Sequence, residues 1–140
     1  MMSEGNGYVT REDILGASAV RFCDFDIPAD FPIESLAGKK IRLRSLNAKE
    51  KVSYEEFFVN PATGKDDAER GRLYREKLTI ECVVDGSGAR LFTLDDIRTL
   101  SKVDGALMQA IADRAVRHNR FDALEDMKKK PEPIPDSSSS

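Results

Sequence analysis

The chain has 140 residues, about one domain by length, with 34% charged residues and a formal net charge of −3. Val, Ile, Leu and Phe supply 24% of it, above the ~20% below which high charge implies disorder, so a thin packed core is expected. No apolar run reaches the ~18 residues of a membrane span, the charge excludes a polyanion binder acting by bulk electrostatics, and one histidine with two distant cysteines cannot assemble a His/Cys metal centre.

Met1 to Asn6 is polar and lacks the basic-then-apolar pattern of a secretory signal. Cys23 and Cys82 make no disulfide framework, so a reducing, cytoplasmic setting is expected. Thr10 followed three residues on by Asp13, Asn47 by Glu50 and Thr93 by Asp96 each pair an N-cap oxygen with an acid at the third helical position. They predict three helix starts.

Between the first two starts the pattern changes. Val20–Ile27 and Lys39–Ser45 are short, apolar and β-branched, separated by Pro28, Pro32 and Gly38. In Lys40–Arg44 apolar and basic residues alternate, which puts Ile41 and Leu43 on one face of a strand and Lys40, Arg42 and Arg44 on the other. Cys23, Phe25 and Ile27 share a face of the first strand, with Asp24 and Asp26 opposite. Antiparallel pairing would bring those acids toward Arg42 and Arg44.

A helix is predicted over about 67–84, a short extended piece at Leu91–Phe92 after the Asp85–Gly88 turn, and a last helix over about 101–121. The reading is an α+β domain spanning 10–126, a small antiparallel β-hairpin or sheet near the N-terminus packed against four to five helices. Residues 1–9 are read as flexible and 127–140, rich in Lys, Pro and Ser, as a disordered tail.

At ~100° per residue, Val103, Leu107, Ala110, Ile111 and Phe121 form one stripe of the last helix. Leu73, Ile80 and Val84 lie on one side of the 67–84 helix, with Tyr74, Leu78 and Cys82 well around from them. Such a helix is either central in its own domain or shared with a partner. On the helix that starts at Asn47, Val52 and Val59 sit together, while Tyr54, Phe57 and Phe58 are displaced from the Val52 side. These three rings are the candidate partner-binding residues; the other reading is that the helix frays early and Phe57 caps the core.

Other constellations fall to simpler readings. Asp85–Asp96 has the length of a calcium loop, but Arg90 stands where that loop needs Gly. Gly64-Lys65 lacks the upstream Gly and following Ser or Thr of a phosphate loop. Asp95 and Asp96 suit the first turn of a helix. His118 falls near a helix C-terminus on the apolar side. Lys40, Arg42 and Arg44 could meet nucleic acid, but no aromatic residue interleaves them for base stacking and Asp24 and Asp26 are available as neutralising partners. No catalytic, cofactor or metal residue is assigned.

The order of pieces has a counterpart. Ile41-Arg42-Leu43-Arg44-Ser45-Leu46 runs into a helix carrying Glu50. Val84-Asp85-Gly86-Ser87-Gly88 is followed by Arg90-Leu91-Phe92-Thr93 and acids, and an Ala-rich helix ends near Asn119. This resembles the tail assembly chaperones of long, non-contractile-tailed bacteriophages, in which a V-R-V-R-x-L-x-x-x-E junction and a V-D-x-x-G-x-R-L-F-T-x-x-D turn recur. The likeness covers about Thr10 to Asn119. The chain departs from it at His118, where the family often has an apolar residue, and beyond Asp126, which has no counterpart.

The resemblance implies a non-enzymatic protein of the host bacterial cytoplasm, absent from the finished virion. It would bind the tape measure protein and keep it soluble for tail-tube assembly, with the tail tube protein as a second candidate partner and self-association left open. It also implies that a longer form can arise by −1 frameshifting, for which Lys128-Lys129-Lys130 is the candidate site. A small nucleic-acid-associated regulator and a structural tail or virion component are the alternatives. Neither a membrane nor, on the main reading, a nucleic acid is an expected partner.

Overall fold

A computed structural model describes residues 7–121. The expected tail and the Lys128–Lys130 site lie outside these residues, as do Met1–Asn6.

The chain is an α+β fold. Helix α1 (Arg11–Leu15) starts from a reciprocal cap: Thr10 Oγ1 accepts from the Asp13 N–H at 3.1 Å and the Asp13 carboxylate from the Thr10 N–H at 3.0 Å. None of its residues is buried, and a 3-10 turn, Gly16–Ser18, leads on from it. Strand β1 (Phe22–Asp26) then pairs antiparallel with β2 (Lys40–Arg44), in the register Asp24 opposite Arg42 and Asp26 opposite Lys40. The alternation works as period two requires: Phe25, Ile27 and Leu43 are buried, while Asp24 and Asp26 are exposed. Arg44, expected near the acids of β1, instead lies opposite Phe22 and bonds to Glu50. Both carboxylate oxygens of Asp24 are taken by Arg42, directly opposite it.

Helix α2 (Ala48–Glu56) is capped by Asn47 and Glu50 in the same reciprocal way. Its Val52 side is the outer one. Val52 is 50% exposed, whereas Tyr54 packs on the core. An aromatic ring has more apolar area to remove from water than a valine, so burying the Tyr54 side gains more.

The single helix expected over 67–84 is three elements: α3 (Ala68–Gly71), α4 (Tyr74–Cys82) and strand β3 (Val83–Val84). Gly71 is a poor helix residue, and the backbone at Leu73 (φ −95°, ψ 17°) departs from the helix before α4 begins. At the far end, β-branched Val83 and Val84 pair antiparallel with Leu43 and Arg42, making β2 the middle strand of a β1-β2-β3 sheet. The ladder hydrogen bonds available at β2 outweigh continuing the helix by one more turn.

A 3-10 turn at Leu94–Asp96, capped by Thr93, runs into α5 (Ile97–Leu100). The last helix, α6 (Gly105–Asn119), begins later than expected because the Asp104 side chain caps it, accepting from the Leu107 N–H at 3.0 Å. Leu107 and Ile111 are buried as the stripe predicts, but Ala110 is exposed; Met108, Ala112 and Ala115 complete the buried face. Helix α4 is buried nearly all round, at Lys77, Leu78, Thr79, Ile80 and Cys82, packed chiefly on α6 with α2 and α5 also against it. Of the two readings for a helix apolar on two sides, the structure has the central one. The small Ala112 and Ala115, both 0% exposed, let α6 approach it closely.

Candidate partner-binding surface

Tyr54, Phe57 and Phe58 come together at the end of α2. Tyr54 and Phe58 meet edge to face with centroids 5.0 Å apart, as do Phe57 and Phe58 at 5.1 Å, geometries that the ring quadrupoles favour. Tyr54 also stacks on Phe121 at 6.2 Å. Burial pushes the Tyr54 phenol well above its ordinary pKa. All three rings are half-buried.

Cations cover part of this cluster. The Arg70 guanidinium and the Lys77 ammonium each lie 5.3 Å from the Phe57 ring centre. Arg70 also donates to the Phe57 carbonyl at 3.2 Å, and Lys51 sits 5.3 Å over Phe121.

Beside the rings runs an ion network that the sequence reading missed. Arg44 pairs with Glu50 at 3.1 Å, and Arg90 reaches both Glu50 and Glu81 at 3.3 Å. Lys77 then pairs with Glu81 at 2.7 Å. These side chains come from β2, α2, α4 and the loop after β3. The Lys77/Glu81 spacing of four residues on a helix was the one signal in the sequence for it. Burial raises the Glu50 pKa, but the Asn47 N–H and the charges of Arg44 and Arg90 outweigh that and hold the carboxyl below its ordinary value.

The remaining candidates have structural occupations. The basic strip of β2 is paired: Lys40 with Asp26 at 2.9 Å, Arg42 with both carboxylate oxygens of Asp24 at 2.8 and 3.1 Å, and Arg44 with Glu50. Asp85 accepts from the Ser87 hydroxyl and from the Ser87 and Ala89 N–H groups, which close the turn and lower its pKa. Asp96 caps at Thr93. His118 Nε2 lies 3.0 Å from the Arg21 carbonyl, while Arg21 donates to the His118 carbonyl at 3.0 Å. Burial pushes the Cys82 thiol up to about 12, which removes it as a nucleophile near neutral pH. Among the described residues no three His, Cys, Asp or Glu groups gather where a metal ion could be held.

No family model matches the chain, and no curated protein matches its sequence. Among solved structures, its fold is similar to that of the tail assembly chaperone of bacteriophage HK97. The TM-score is 0.52 at 17% identity, and the match covers 76% of this chain and 96% of that one. At this identity the likeness is one of fold.

Proposed function

We propose that this protein is a tail assembly chaperone of a long-tailed phage. It binds the tape measure protein in the host cytoplasm, keeps its apolar helices soluble while the tail tube forms, and is left out of the finished particle. The observation that carries this reading is the fold likeness to a phage tail assembly chaperone, which spans 96% of that chain. The strand-to-helix junction at Ile41–Glu50 and the Val84–Asp96 turn agree with it as sequence motifs. The chemistry suits the task. A small domain of net charge −3 adds solubility to what it binds, and the half-buried rings at the end of α2 offer apolar area without a chemical step.

The test is co-expression with the tape measure protein of the same phage. Chaperone activity predicts that the partner stays in the supernatant and co-purifies only when this chain is present. Mass spectrometry of purified particles supplies the second half. Presence of the chain there in stoichiometric amount would make it a structural tail component instead.

A further inference from the structure

An open groove of about 970 Å³ lies between the Asp67–Leu73 segment and the Leu94–Lys102 segment. Its apolar lining is Phe57, Leu73, Leu94 and Ile97. Leu94 is 50% exposed and leaves apolar area open to the groove. Arg72, Arg98 and Lys102 also line it, all exposed. Among the described residues none of these three has a carboxylate within ion-pair distance, in contrast to Lys40, Arg42 and Arg44. Two acids also line it: Asp67, which caps α3 by accepting from the Glu69 and Arg70 N–H groups, and the exposed Glu69. Against these two carboxylates stand Arg70, Arg72, Arg98 and Lys102, so a chain of net charge −3 carries an excess of positive charge around this trough.

We infer that this groove docks an amphipathic helix of a partner protein whose apolar stripe is flanked by carboxylates. No strand lines the groove, so an extended peptide would find no ladder for its backbone N–H and C=O groups. A helix satisfies its own. The apolar lining takes the stripe, and Arg72, Arg98 and Lys102 take the flanking acids. Nucleic acid fits less well, since Phe57 is the one ring among the described residues lining the groove and successive bases would find no second platform to stack on. The inference rests on the proposed function only in taking the partner to be a helical protein.

The test uses the full chain and two labelled peptides of about 20 residues, long enough to populate a helix. Each carries Leu at core-stripe spacing, one flanked by Glu and the other by Lys. Fluorescence anisotropy should show the Glu peptide binding about tenfold or more tightly than the Lys peptide, with the difference shrinking as salt rises. Arg72→Glu with Arg98→Glu should reverse the preference, while Arg11→Glu with Lys39→Glu, the same charge change elsewhere, should leave it. Leu94→Ser should weaken both peptides, with melting curves recorded for every variant. Equal affinity for the two peptides, or indifference to Arg72 and Arg98, would overturn the inference. Tighter binding of a single-stranded RNA oligomer lost in the same double variant would reassign the groove to nucleic acid. Dimerisation lost in that variant would reassign it to a second copy. If the Glu peptide binds as expected but the tape measure protein does not co-purify, the functional reading fails and this one stands; the opposite result fails this one alone.

Discussion

Asn119 accepts a 2.7 Å hydrogen bond from the backbone N–H of Leu46, joining the end of α6 to the turn between β2 and α2 across 73 residues of sequence. The same amide donates to the Ala115 carbonyl at 2.9 Å and points at Cys82 Sγ at 3.8 Å. It is 6% exposed. One side chain thus satisfies a backbone donor that neither the sheet nor α2 can reach. Asn119→Ala would leave the Leu46 N–H without its partner, a loss of about 1–3 kcal/mol. Urea denaturation should show the midpoint falling with the slope unchanged.

Glu50 links stability to pH. Its folded pKa lies below the ordinary carboxylate value, so the stability it contributes is fully present above the unfolded value of about 4.3 and is lost as pH falls through the folded value. Glu50→Gln should cost about 1.5–3 kcal/mol at neutral pH, since it removes the charge that Arg44 and Arg90 share. The gap between wild type and variant should narrow as the pH is lowered below about 4. Chemical denaturation across pH 3 to 7 measures both. A gap that is constant with pH would remove Glu50 from this role.

Lys77 and Glu81 should respond unequally. The Lys77 side chain is only 10% exposed and its ammonium pairs with Glu81. Glu81→Ala strands that buried charge, for which about 3–5 kcal/mol is expected. Lys77→Met keeps the aliphatic packing and leaves Glu81 paired with Arg90, so its cost should be nearer 1 kcal/mol. Thermal melts of the two variants under identical buffer conditions distinguish them.

Gly88 closes the turn after β3 with φ at +94°, and a Cβ there would stand 3.1 Å from the Phe22 ring. Gly88→Ala meets both backbone strain and that contact, and should destabilise by more than about 1 kcal/mol. Phe22→Ala combined with it removes the contact but not the φ penalty. Partial recovery in the double variant is therefore expected in a melting experiment.

The rings of α2 should separate fold from binding. Tyr54 is stacked against Phe121 and packed on the core, so Tyr54→Ser should cost about 3 kcal/mol. Phe57 sits at the helix end under two cations, and Phe57→Ser should cost less, about 1–2 kcal/mol, while reducing co-purification of the proposed tape measure partner. Both are measured well below either melting temperature. Undiminished co-purification by Phe57→Ser would leave that ring as a cover for Lys77 only.

The local punctuation is set by residues close together in the chain. Thr10, Asn47 and Thr93 each find their acid three residues on, a distance that no tertiary packing needs to create. The β1–β2 hairpin is legible in the sequence as well, because period-two alternation sends Phe25 and Leu43 to one side and the charges to the other wherever the strands pair. Tertiary structure decided what local rules leave free. Whether Val83 and Val84 end a helix or join a sheet depends on the ladder bonds of β2, some 40 residues away in the chain. Which side of α2 faces inward depended on what α4 and Phe121 present to Tyr54. The spacing gathered Tyr54, Phe57 and Phe58, but the depth of each ring is set by Phe121, Arg70 and Lys77. The basic groove, and all of the ion network but its Lys77–Glu81 pair, were invisible for the same reason: their members come from separate elements, and only packing brings such charges within reach of one another or leaves them in excess.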